Sequence, residues 1–148
     1  FCKLPPLRTH SIHHFPDKLP FSILFEDGKI KQIGRDRILG ELFDHSVRLA
    51  AKLGYAESYL GAPGHKVSFI GHGIGLEIVE PHIIARNRKD RLEPGMTFAL
   101  EPMVNVGDWR TKVLGDKWTV VTADGKRSAH FEHTVAVTNN GPEILTRL

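Results

Sequence analysis

The chain has 148 residues, of which 41% are hydrophobic and 25% charged. That length accommodates one ordinary domain with a real core, and the composition excludes disorder along the whole chain. The net charge is +3, from 20 basic against 17 acidic side chains, so charge gives no argument for a nucleic-acid partner.

Residues 1–20 carry Pro5, Pro6, Pro16 and Pro20, with His10, His13 and His14 between them and no periodicity. This segment is expected to be irregular, and its histidines have no regular ligand spacing. Cys2 is the single cysteine, which excludes an internal disulfide framework and a Cys-based zinc ribbon. It fits a reducing, cytoplasmic setting. The sequence starts at Phe1 rather than methionine, which implies processing or an upstream part. Phe21 to Phe25 and the return through Ile30 and Ile33 read as a hairpin around Asp27-Gly28. The expected division is therefore an N-terminal segment at 1–35 and a functional body at 36–148.

Leu39, Leu42, Phe43, Val47, Ala50 and Leu53 recur at intervals of three and four, predicting a helix over 36–53 that Gly54 stops. The loop Gly61-Ala62-Pro63-Gly64 follows. Short strands are then predicted at Val67 to Ile70, Glu77 to Val79, and Met96 to Glu101 after the turn Pro94-Gly95. Trp118 to Thr122 and Ser128 to Thr138 read as a hairpin around Asp124-Gly125, and Glu143 to Leu145 as a closing strand. The basic stretch Arg86 to Arg91 reads as a solvated loop. No apolar run reaches the ~20 residues of a membrane-spanning helix, and no signal-peptide pattern is visible. One helix followed by a run of strands predicts an α+β fold with an antiparallel sheet.

Strand alternation singles out a few polar side chains. In Ser128 to Thr138, Phe131, His133, Val135 and Val137 share one face, while Ser128, His130, Glu132 and Thr134 share the other. In Met96 to Glu101, Glu101 shares a face with Thr97 and Ala99. Carboxylates so placed are costly to bury unless something cationic meets them. His72 sits in Gly71-His72-Gly73-Ile74-Gly75, where glycines allow close approach. One imidazole and two carboxylates suit manganese, iron, cobalt or zinc, and such a site activates water and polarises a carbonyl. Spacing alone leaves the plainer reading open: Glu132-His133 as a surface pair, Glu101 as a strand-end charge, and the glycines as a tight turn.

The same residues carry a family resemblance. Residues 67–81, VSFIGHGIGLEIVEP, and 92–105, LEPGMTFALEPMVN, resemble the histidine segment and the first glutamate segment of metallopeptidases with the pita-bread fold. The first of these looks most like Xaa-Pro peptidases. Residues 118–146, WTVVTADGKRSAHFEHTVAVTNNGPEILT, resemble the last segment of type I methionine aminopeptidases. The resemblance covers about 40–148 and matches only the C-terminal half of the fold. It implies a half domain with an antiparallel curved sheet and helix packed on its outer face. It implies removal of the N-terminal residue from peptides or nascent proteins, using two divalent metal ions (manganese, cobalt, iron or zinc). Carried over by motif, the metal ligands are His72, Glu101 and Glu132. Glu132 is expected to bridge the metals, and Glu101 to shuttle the proton of the attacking water. Trp118 matches a tryptophan on the substrate side, or is a core aromatic of its hairpin.

Two departures stand out. The family's two aspartate ligands have no match: Asp17, Asp27, Asp36 and Asp44 lack the expected strand context. By itself the chain is therefore expected to hold one ion or none, with a missing N-terminal half or self-association to cover its apolar face. Val79 stands where the family places a substrate-contacting histidine, with His82 the nearest imidazole in sequence. Two other functions stay open. One is a metal-free creatinase-like hydrolase, with His72 as acid–base group and Glu101 and Glu132 as cation binders. The other is a non-catalytic binding module of the same fold.

Overall fold

The computed structural model describes residue 33, residues 36–59 and residues 69–147. The segment at 1–20, the hairpin at 21–33 apart from buried Ile33, and the loop at 61–64 lie outside the described residues.

Helix α1 spans Leu39–Lys52. It starts later than the periodicity predicts, because Asp36 takes a φ of 67° and Ile38 is extended and bridged to Arg91. Leu39, Leu42, Phe43, Ser46 and Ala50 form its buried stripe. Gly54 ends it as expected, at φ 84°, with its N–H donating to the carbonyl of Ala51 at 3.0 Å. The start is closed from outside. The N–H groups of Leu39 and Gly40 donate to the carbonyls of Asp90 and Arg88, each at 3.1 Å. A Cβ on Gly40 would lie 2.8 Å from the Arg88 oxygen, so glycine permits that approach. The basic stretch is largely exposed, as expected, yet its backbone also completes the first helical turn. The Arg86 guanidinium lies 5.6 Å from the centre of the Phe43 ring.

Among the described residues eight strands follow: β1 (Gly71–Gly73), β2 (Thr97–Leu100), β3 (Met103–Asn105), β4 (Thr111–Val113), β5 (Val120–Thr122), β6 (Ser128–His130), β7 (His133–Thr138) and β8 (Gly141–Ile144). The main antiparallel sheet runs β1-β2-β7-β8, while β3 pairs with β6 and β4 with β5. The α+β expectation holds. Phe98, Leu100, Val104, Val135 and Val137 join Leu39, Leu42 and Phe43 of α1 in one buried cluster. Tyr59 belongs to it and bridges Val104. Burial pushes its phenol above the ordinary value, against the opposing effect of Ser46 on α1.

Several strand expectations are corrected. Of the strand expected at Val67 to Ile70, Val67 and Ser68 lie outside the described residues; Phe69 makes an isolated bridge to Ala85, and among the described residues regular pairing starts at Gly71. No strand forms at Glu77–Val79. The chain loops out there, leaving Leu76, Ile78 and Val79 exposed, and returns with Glu80 bridging Gly73. Apolar residues alone do not make a strand when no neighbour offers a ladder. The stretch Trp118–Thr122 does not pair with Ser128–Thr138. Instead β5 turns back onto β4. The carboxylate of Asp124 accepts from the N–H groups of Asp108 and Lys126, each at 3.0 Å. That ties the Asp124-Gly125 turn to the segment after β3 and leaves β6 free to pair with β3. The closing strand is Gly141–Ile144 rather than Glu143–Leu145, with Gly141 at φ 109°. No described helix is long and apolar enough to cross a membrane.

Candidate metal centre

The site begins with a proline. In the β2–β7 ladder Leu100 faces His133, and in the β3–β6 ladder Met103 faces His130. Both strands therefore advance equally between the ladders. The register continues without a bulge, and Glu101 falls opposite Glu132. Pro102 has no N–H to give, so regular pairing lapses there. Phe131 N–H still reaches the Pro102 carbonyl at 3.4 Å. Alternation then places Glu101, Glu132 and His130 on one face. His72 faces Ala99 across β1 and β2, and Ala99 precedes Glu101 by two, so His72 joins that face.

His72 is 8% exposed, and its Nδ1 lies 2.8 Å from the Gly73 carbonyl. A carbonyl only accepts, so Nδ1 carries the proton and donates it there. Nε2 is thereby turned to Glu101, 3.1 Å from Oε1. On the other side, His130 Nε2 lies 3.4 Å from Glu101 Oε2. Glu101 thus stands between two imidazoles, one at each carboxylate oxygen. The ligand atoms of Glu101, His130 and Glu132 all lie within 4.8 Å of one another. Glu101 is partly buried; His130 and Glu132 are exposed.

Two glutamates directly opposite each other on paired strands repel. A divalent cation between them would convert that repulsion into attraction. Oxygen and imidazole nitrogen donors are the set expected of manganese, iron, cobalt or zinc. The residues present therefore fit a divalent metal.

The sequence-predicted residues fare differently. His72 and Glu101 meet, and Glu132 groups with Glu101 and His130. Trp118 lies in the β4–β5 turn and is 72% exposed, so the reading as a core aromatic is corrected. That turn belongs to a separate two-stranded sheet. Val79 is exposed, and His82 pairs with Asp90 at 3.6 Å. Asp36 lies in an exposed turn and Asp44 on α1, neither in the ligand cluster. A cleft of about 380 Å³ opens beside β1, lined by Gly73, Ile74, Glu80, His82 and Thr97 among others, and holds none of that cluster. His130 was not singled out as a ligand by sequence. Its signal was the alternation that places it beside Glu132 on the polar face.

Comparisons with known proteins bear on the family and the fold. The profile described as Metallopeptidase family M24 matches residues 28–139. Methionine aminopeptidase 1 of Bacillus subtilis is 52% identical over 84 residues, 54% of this chain and 34% of that protein. Methionine aminopeptidase of Clostridium perfringens is 52% identical over 96 residues, 61% of this chain and 39% of that protein. Among solved structures, methionine aminopeptidase from Thermotoga maritima superposes with a TM-score of 0.72 at 36% identity. That superposition covers 88% of this chain and 50% of the other. X-Pro aminopeptidase from the same organism gives 0.62 at 26% identity, over 88% and 31%. The chain thus spans little more than a third of the curated relatives and half of the Thermotoga chain. With three-quarters of its length inside the family profile, and with a fold shared by solved aminopeptidases, the chain belongs to metallopeptidase family M24.

Proposed function

We propose that this chain forms the histidine–glutamate half of a metal-dependent aminopeptidase that hydrolyses the N-terminal peptide bond of peptides or proteins. The observation that carries the reading is the facing pair Glu101 and Glu132, held at the Pro102 lapse with His72 on the same face. The relatives named methionine aminopeptidase support the reaction class. His72, Glu101 and Glu132 would hold the metal, which supplies Lewis acidity toward the peptide carbonyl and a more acidic water.

The chain's own groups have definite tasks. The Gly73 carbonyl fixes the His72 tautomer and points Nε2 at the site. Glu101 offers one oxygen toward His72 and one toward His130, a position from which it can accept a proton from water and return it to the leaving amine. Glu132, exposed, completes the carboxylate pair on the open side, where a peptide N-terminus has access.

The test is calorimetry with manganese and cobalt on this chain and on Glu132→Ala, followed by hydrolysis assays on methionyl and Xaa-Pro peptides. Binding to the wild type that the variant loses is expected. Hydrolysis by the 148 residues alone is expected to be weak, since no matched aspartates complete the ligand set. A wild type that takes up neither ion would sink the reading.

A further inference from the structure

The structure assigns His130 as a metal ligand: Glu101, His130 and Glu132 together form a three-ligand site for one divalent ion of borderline softness, zinc or cobalt in preference to manganese. This rests on the metal-site reading above and goes beyond the ligands drawn from motif.

Three observations carry it. First, the ligand atoms of these three residues lie within 4.8 Å of one another, near enough for small side-chain shifts to bring them onto one ion, and His72 is not part of that group. Second, His130 Nε2 is aimed at the carboxylate, 3.4 Å from Glu101 Oε2. Its place opposite Met103 in the β3–β6 ladder fixes the backbone from which the ring projects. Third, two carboxylates and one neutral imidazole offset a divalent charge, so His130 adds a donor without adding charge. Among the described residues no arginine or lysine forms an ion pair with Glu132.

Coordination logic sets the preference. Three protein ligands with an open position are the pattern of catalytic zinc. His130 is 40% exposed in its side chain against 18% for Glu101, so the His130 side of the cluster faces solvent. Imidazole favours zinc and cobalt over manganese, whereas carboxylates alone discriminate less. The third donor therefore decides which ion is retained.

The experiment titrates the 148-residue chain with zinc, cobalt and manganese by calorimetry, alongside His130→Gln and Glu132→Gln. Imidazole NMR signals of the wild type are followed through the zinc titration. Because His130 is half exposed at a sheet end, circular dichroism of His130→Gln should match the wild type. The expected result is a loss of zinc and cobalt affinity of about tenfold or more in His130→Gln, a smaller loss for manganese, and displaced His130 ring signals. If zinc binds with Glu132→Gln impaired, His130→Gln unimpaired and the His130 signals unmoved, His130 is not a ligand while the metal site stands. If the wild type binds no ion, both the inference and the site reading fall.

Discussion

Gly71 and Gly73 set the position of His72, and they do so by omission. A Cβ on Gly71 would lie 2.2 Å from the Ala99 carbonyl oxygen, and one on Gly73 would lie 2.2 Å from that of Pro81. Neither partner is a flexible side chain, so backbone must move. Gly71→Ala is expected to lower stability by about 1–3 kcal/mol and to shift His72 away from Glu101. Denaturant unfolding and the His72 ring signals would report both effects, and an unchanged midpoint would contradict the close approach. At Glu101 the consequence is chemical. Glu101→Gln keeps the shape but removes the charge that both imidazoles face. Metal affinity should fall by tenfold or more (about 1.4 kcal/mol per decade) with little change in fold, as calorimetry and circular dichroism would measure.

Individual elements respond in ways that follow from how each is closed. Helix α1 is held at its start by backbone bonds to the 88–90 stretch and along its length by its apolar stripe, in which Leu42 is 1% exposed within the main cluster. Leu42→Ala should cost about 2–5 kcal/mol in a chemical denaturation series. The β4–β5 turn depends on one carboxylate. Asp116 accepts from the Thr119 hydroxyl and from the N–H groups of Trp118 and Thr119, at 3.0 and 2.9 Å. The Thr119 hydroxyl, then these amides, hold its carboxyl below the usual range. A depressed folded-state value means the stabilisation is present above the ordinary aspartate value of about 3.9 and is lost as pH falls through the depressed one. The amide signals of Trp118 and Thr119 should therefore titrate with a midpoint below that of a free aspartate. A midpoint at the ordinary value would contradict the turn as described.

At the scale of the whole molecule, exposed apolar area is the dominant feature. Leu76 is fully exposed, Ile78 is 81% and Trp118 is 72% exposed, and Val79, Val113, Val120 and Phe131 are exposed as well. A soluble monomer rarely leaves this many large apolar side chains in water. The chain also spans half of the Thermotoga aminopeptidase it superposes on. The isolated 148 residues are expected to self-associate as concentration rises. Sedimentation velocity across a hundredfold concentration range would detect it, and a single monomeric species throughout would argue against it.

Much of this protein is legible in one dimension. The stripe from Leu39 to Ala50 determined α1, because 3.6-residue periodicity is a local property. Gly54, Gly95, Gly125 and Gly141 all take positive φ at turns, three of them at positions the sequence marked as breaks. Two-residue alternation determined that Glu101, Glu132 and His130 sit on polar faces, since that depends only on the pleat. Partner choice was not legible. Whether Trp118–Thr122 meets β4 or Ser128–Thr138 depends on the carboxylates of Asp116 and Asp124, side chains whose partners are set by the fold around them. Likewise, only the tertiary structure decided that Glu101 faces Glu132 across the Pro102 lapse and that His130 closes on Glu101. Register between strands far apart in sequence is fixed by the joint burial of Phe98, Leu100, Val135 and Val137 against α1, and no local pattern encodes a distance between residues thirty positions apart.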